Sequence, residues 1–216
     1  GGTGAGQRNV LSGNDTGILL TGSSAQSNVV RNNYIGLTPA GNTKNPNQAG
    51  VLITGGASGN TIGGDKASYA NFISGNSGNG VTIEMAGTDN NWLGNNAIGL
   101  GADLIADLGN TGFGVRIRNG PNSTVIGGTD SGNWIVYNGN RGVYVDSAGS
   151  YTQISYNIIG SNTVDGVSIY QTSGCGVSNN IINSNSMAGV RVAGASAVGN
   201  LIWPNSIFGN GDKGIL

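Results

Sequence analysis

The chain has 216 residues, 37% of them hydrophobic, with 42 glycines and four prolines, which is enough for one domain but short of the apolar content of a thick globular core. Nine basic residues against ten acidic ones, and no histidine, leave a net charge of −1 that argues against a nucleic-acid binder, whose contact face is basic. No apolar run reaches the length of about 18 residues that spans a membrane, the lone Cys175 excludes an internal disulfide or zinc cluster, and the lack of histidine excludes a Ser-His-Asp triad.

From the N-terminus, the first recurring element is Asn9-Val10-Leu11, an asparagine followed at the second position by Leu or Ile. It returns at Asn33, Asn71, Asn96, Asn133, Asn157, Asn180 and Asn205. The second is Gly17-Ile18-Leu19-Leu20, which returns as the Gly-Val strands opened by Gly50, Gly80, Gly114, Gly142, Gly166 and Gly189, and partly at Gly214-Ile215-Leu216. Between the two lies a third apolar position: Val30, Ile62, Leu93, Ile126, Ile154, Val177 and Ile202. Successive glycines of the second element stand 33, 30, 34, 28, 24, 23 and 25 residues apart, the range of one solenoid coil with loops of varying length. Within each element, as in Val143-Tyr144-Val145, β-branched residues alternate with variable ones, so strands with one inward and one outward face are expected.

These elements predict an all-β solenoid of about seven coils with three short strands each, roughly 34 Å long at the strand spacing. The eight asparagines are expected to form a ladder in which each amide donates to one neighbour and accepts from the other. Gly and the 31 asparagines are expected at corners, where left-handed backbone is needed. Long segments follow the asparagine strands at 36–49 and 99–113, and shorter ones precede them at 63–70 and 127–132. After Gly142 the loops vanish. Residues 1–216 therefore read as one domain, with loop-decorated coils over 1–141 and minimal coils over 142–216. Gly1-Gly2 match Gly63-Gly64 and Gly127-Gly128, so the chain is expected to open partway through a coil, as a fragment of a longer repeat protein able to self-associate through its ends.

The Gly-Val strands, the Asn-x-Ile ladder and the Asn60-Thr61-Ile62-Gly63-Gly64 segment resemble the right-handed parallel β-helix repeats of the pectate-lyase-like superfamily, along essentially the whole chain, and the resemblance implies a right-handed, single-stranded parallel β-helix. That resemblance implies polysaccharide as a ligand class and a secreted or cell-surface location of bacterial type. The loops also alternate over a double coil, 63 residues from Gly17 to Gly80 and 64 from Gly50 to Gly114, and that regular double unit is more similar to the repeat arrays of bacterial surface proteins than to a dedicated enzyme. The lyase pattern of clustered aspartates is missing here, which leaves no confident catalytic residue.

The outward positions of the Gly-Val strands stack into two columns. One reads Leu19, Leu52, Thr82, Arg116, Tyr144, Ser168, Arg191, and the other Thr21, Thr54, Glu84, Arg118, Asp146, Tyr170, Ala193. Arg116, Tyr144, Tyr170 and Arg191 are the candidate ligand-binding residues, the tyrosines to stack on sugar rings and the arginines to hold acidic groups. Glu84, Arg118 and Asp146 are the catalytic candidates, with the two carboxylates about twice 4.8 Å apart, near the upper limit for an inverting pair. A plain charge ladder, with Arg118 between Glu84 and Asp146, fits the same residues.

Asp103 and Asp107 are weak Ca²⁺ candidates in a loop whose Leu104, Ile105 and Leu108 are otherwise expected to pin it to the wall; no other cofactor is expected. Asp65, Lys66 and Asp130 are read as turn residues. Trp92, Trp134 and Trp203 precede or follow inward residues and serve either loop packing or a sugar platform. Cys175 reads as a small core or corner residue. The expected role is a structural or adhesive solenoid segment that binds glycan or self-associates, with a polysaccharide lyase or glycoside hydrolase as the alternative.

Overall fold

The computed structural model describes residues 1–2 and 5–216. Three parallel sheets run the length of a solenoid, one strand of each per coil, in accord with the three sequence columns. The asparagine sheet has eight strands, from Asn9–Leu11 to Ser206–Phe208. The Gly-Val sheet has seven, from Thr16–Thr21 to Val190–Ala193, and Ile215 extends it by a parallel bridge to Val190. The third sheet also has seven, from Val29–Val30 to Leu201–Ile202.

Register follows the inward residues. Ile53, Ile83, Ile117, Val145 and Ile169 stack in the Gly-Val sheet, and Ile62, Leu93, Ile126, Ile154 and Val177 in the third. All are buried in one continuous core with the isoleucines of the asparagine sheet. Each inward side chain packs on its counterparts in the coils above and below, so apolar burial, not local propensity, sets the register.

The expected ladder is present: the side-chain amide of Asn9 donates to Asn33, and the chain of 2.8–3.0 Å bonds runs through Asn71, Asn96, Asn133, Asn157 and Asn180 to Asn205. A second, equally long ladder went unread in the sequence. It joins Asn14, Asn47, Asn76, Asn110, Asn138, Asn162, Asn185 and Asn210 through bonds of 2.8–3.1 Å at the corner after the asparagine sheet. Its signal is an asparagine five positions after the first, as in Asn133/Asn138 and Asn157/Asn162; the two long loops interrupt that spacing at Asn33/Asn47 and Asn96/Asn110. A third ladder, Asn28-Asn60-Asn91, gives way to Thr124, Thr152 and buried Cys175.

The second ladder explains the invariant glycine of the Gly-Val strands. A Cβ on Gly142 would lie 2.6 Å from the Ile159 Cγ2 and 2.8 Å from the Asn162 Nδ2, and one on Gly166 would meet Ile182 and Asn185 in the same way. These glycines are required for space, not for turning. Left-handed backbone at the corners is carried by Asn32, Asn95 and Asn179 as expected, and also by residues the sequence did not point to, Tyr137, Tyr151 and Tyr156 among them.

The two long loops fold back over the outer face of the asparagine sheet. Each closes on an antiparallel bridge, Leu37 to Lys44 and Leu100 to Asp107, and Lys44 Nζ donates to the Gly109 carbonyl to tie them together. Leu37 and Leu100 bury against Phe72, Ala97 and Val136, forming a second apolar cluster outside the solenoid. Leu108 joins it as expected, but Leu104 and Ile105 do not pin the loop: both are exposed at its tip. No helix among the described residues is long and apolar enough to cross a membrane.

Candidate functional site

The Gly-Val sheet places the expected outward columns in register, Arg116 beside Thr82 and Tyr144, Arg118 beside Glu84 and Asp146, and Ser168 beside Arg191. The pairing differs from a simple charge ladder. Arg118 Nε binds Glu84 at 2.6 Å, whereas Asp146 takes the diagonal neighbour, Arg116, at 3.4 Å. Arg118 therefore stands between the two carboxylates in register but pairs with only one of them. Its Nε points back toward Glu84, and the arginine one column over reaches Asp146.

The centre of the face is an aspartate that the column reading missed. Asp165 is fully buried, and its carboxylate accepts from Ser168 Oγ at 2.7 Å, Arg191 Nε at 3.1 Å, Arg141 Nε at 3.2 Å and the Ala188 amide at 3.1 Å. Burial alone would push its carboxyl up, but the Ser168 hydroxyl, Arg191 and the Ala188 amide more than offset this and hold it below the ordinary range. Asp165 is an ionised anchor, unsuited to act as a general acid. Asp165, Arg141 and Phe113 each stand immediately before the glycine of a Gly-Val strand, and that preceding position was the signal available in the sequence.

Around this anchor the side chains form a layered patch. Phe113 and Tyr144 stack with centroids 5.2 Å apart and 19° between planes. Arg141 lies 4.9 Å over the Tyr144 ring, and Arg116 lies 5.1 Å over Phe113 and 5.8 Å over Tyr144. Burial and the neighbouring Asp146 raise the Tyr144 hydroxyl above its ordinary pKa, with Arg141 and Arg116 opposing. At neutral pH it is a hydrogen-bond donor, not a base. Arg191 uses only its Nε toward Asp165, so its terminal nitrogens face solvent. Tyr170 lies exposed at the margin beside Asp146. Thr82 and Ser168, though outward in register, are covered by Asn79 and by Arg141 with Asp165.

The remaining candidates lie elsewhere. Asp103 Oδ1 accepts the Ile105 and Ala106 amides, which hold its carboxyl below the ordinary range, and Asp107 Oδ1 accepts the Gly109 amide. Both aspartates shape their own loop, and the described residues contain no group of three or more His, Cys, Asp or Glu that could hold a metal. Lys66 flanks a 3-10 turn at Ala67–Tyr69 without a side-chain cap, so turn capping by this residue is not seen. Trp92 donates its Nε1 to the Gly127 carbonyl, a structural contact; Trp134 and Trp203 are exposed. Burial pushes the Cys175 thiol up to about 11, leaving it protonated and inert at neutral pH.

Because the Asp165 carboxyl is held below its unfolded value, the stability it contributes is present above about pH 4 and lost as pH falls through the lower folded value. Asp165→Asn is expected to cost about 2–4 kcal/mol at pH 7, since it leaves two arginines short of a partner. Urea unfolding at pH 7 and pH 3 checks this: the difference between the two pH values should shrink in the variant. An unchanged difference would remove Asp165 as the anchor.

The arrangement is that of a right-handed β-helix, and the chain belongs to that family: the family described as "Right handed beta helix region" matches residues 44–216. No curated protein matches the sequence significantly. Among solved structures, the A-module of the Azotobacter vinelandii mannuronan C-5 epimerase AlgE6 superposes with a TM-score of 0.60 at 14% identity, over 88% of this chain and 57% of that module. At that identity the likeness is one of fold, and the chain spans little more than half of the module's length.

Proposed function

We propose that this solenoid is a structural and adhesive module of a secreted or cell-surface protein, and that it binds an acidic polysaccharide along the Gly-Val face without turning it over. The observation that carries the reading is the cluster of Arg116, Arg141 and Arg191 around the Phe113–Tyr144 stack. Asp146 and Asp165 orient the guanidinium groups, while the terminal nitrogens of Arg191 remain free to bind carboxylates in the fork geometry that arginine favours. Four arginines against Glu84, Asp146 and Asp165 give the face a slight positive excess, on a chain whose net charge is −1. The name of the superposing epimerase module, which acts on mannuronan, supports a sugar acid as the ligand class.

Catalysis is the weaker reading because each carboxylate on the face is already held in an ion pair by an arginine, and the buried one, Asp165, is held in its charged form. Affinity electrophoresis in gels containing polygalacturonate, alginate or a neutral glucan tests both readings, together with assays for new reducing ends with and without Ca²⁺. Retardation by the acidic polymers, weakened by salt and reduced about five- to tenfold by Arg191→Ala, is expected without release of ends. Absence of retardation would sink the binding reading. Release of ends that Asp146→Asn abolishes would make the protein an enzyme.

A further inference from the structure

The outer face of the asparagine sheet has the wrong polarity for a solvent face. Its outward column, set by the strand register, runs Val10, Tyr34, Phe72, Ala97, Trp134, Ile158 and Ile181, where a one-sided sheet would carry polar residues. From Tyr34 to Ala97 the chain covers this column itself. Arg8 lies 4.8 Å over Tyr34 and 5.0 Å over Phe72, and the two long loops lay Leu37, Leu100 and Leu108 across it. After the second long loop no such cover follows, and the column runs on through Trp134, 42% exposed, and Ile158 to Ile181 before it ends at Ser206; Phe208, outward beside Asn183, is exposed as well.

Where the cover stops, a groove of about 350 Å³ opens over Trp134, Val136, Tyr137 and Ile158, with no charged residue in its lining. The tip of the second loop forms its rim. At that tip Ile105 is 78% exposed, the most exposed large apolar side chain among the described residues. The tip is also held in shape: Asp103 Oδ1 accepts both the Ile105 and Ala106 amides at 2.9 Å, and the Leu100–Asp107 bridge closes the loop behind it. An apolar knob and an uncharged apolar hole thus stand side by side on one face.

We propose that this face is the contact between two copies of the chain, related by a two-fold axis, with the Ile105 tip of each copy seated in the groove of the other over Trp134. Knob and hole on the same surface are what an isologous interface requires, because each copy then offers what the other needs. Ile105, Trp134, Ile181 and Phe208 are 78%, 42%, 42% and 54% exposed, which at roughly 200 Å² per large side chain leaves about 400 Å² of apolar surface, about half of the roughly 800 Å² that each partner contributes to a standard interface. A loop already held in its bound shape loses little freedom on docking. A neutral sugar is a poorer occupant: five branched aliphatics outnumber the two aromatics, Trp134 and Tyr137, in the groove lining, and no charged side chain is there to fix hydroxyl groups.

Sedimentation velocity across a concentration series tests the proposal, with far-UV circular dichroism to confirm that each variant is folded. The wild type is expected to show a monomer–dimer equilibrium in the micromolar range. Ile105→Asp, at an exposed tip where folding is not at stake, should weaken the dimer at least about tenfold, and Trp134→Ala should do the same from the groove side. Leu19→Ser, an exposed apolar residue on the Gly-Val sheet, should change nothing. A monomer persisting to about 100 μM, association insensitive to Ile105→Asp, or open-ended growth without a dimer plateau would each overturn it. So would a Trp134-dependent fluorescence response of the monomer to a neutral oligosaccharide, which would assign the groove to a sugar.

Discussion

Ile117→Asp is expected to unfold the middle of the solenoid, while Ile117→Val should cost only about 1 kcal/mol. Ile117 has no exposed surface and lies in the core between Ile83 of the coil before and Val145 of the coil after. A carboxylate there loses the packing of a full isoleucine, about 2–5 kcal/mol, and must be desolvated or protonated with no partner, at several kcal/mol more. The sum is comparable to the whole stability of an ordinary domain. Because each coil is stabilised mainly by its neighbours, the damage should spread to the adjacent coils instead of staying local. Hydrogen exchange read coil by coil should therefore show protection lost on both sides of residue 117. Arg116→Ala, one position away on the outer face, should shift stability by less than about 1 kcal/mol, because its ion pair is partly solvated. Equal melting of the two variants would overturn the inward and outward assignment.

The second large effect is expected in the ladder that escaped notice. Asn162 is fully buried; its amide donates to Asn185 at 2.9 Å and to the Ile135 carbonyl at 3.0 Å, and its Oδ1 accepts both the backbone and side-chain amides of Asn138. Asn162→Ala strips a partner from Asn138 twice over and from the Ile135 carbonyl, so about 3–5 kcal/mol should be lost, at about 1–3 kcal/mol for each buried group left unsatisfied. Asn157→Ala, in the ladder that the sequence displays openly, removes the same set of bonds at the other corner and should cost a similar amount. Denaturant unfolding followed at both corners would compare them. A loss below about 1 kcal/mol at position 162 would mean that water replaces the amide and that the second ladder is dispensable.

Both variants probe one question: which contacts repeat with the coil and which do not. The contacts that repeat were open to a reading of the sequence. Strand identity, inward and outward faces and the register of Val51, Val81, Val115, Val143, Val167 and Val190 all follow from spacing, because a one-residue slip would turn every core side chain outward. The first ladder followed too, since it stands two residues before the same core position in every coil. The second ladder was hidden because the two long loops stretch its distance from the first from five residues to 14, at Asn33/Asn47 and Asn96/Asn110.

The candidate site was legible only in part. Its columns could be predicted, and they placed Arg116, Tyr144, Asp146 and Arg191 on one face. Which charges pair could not, because an arginine side chain is long enough to choose between the residue beside it and the one on the diagonal; Arg118 turns to Glu84, and Arg116 reaches Asp146. Asp165 was out of reach for a related reason. It sits at a corner, outside the strand alternation, and its partners Arg141 and Arg191 belong to the coils before and after its own. Likewise the covering of Phe72 and Ala97 by loops, and the bare continuation at Trp134 and Ile158, appeared only once the loops were placed in space. Periodicity along the chain determined the solenoid, its register and its faces, since these depend on residues repeating at the coil spacing. Charge pairing, loop cover and the exposed groove were decided by tertiary structure, because they join residues from different coils and corners at distances that no single period encodes.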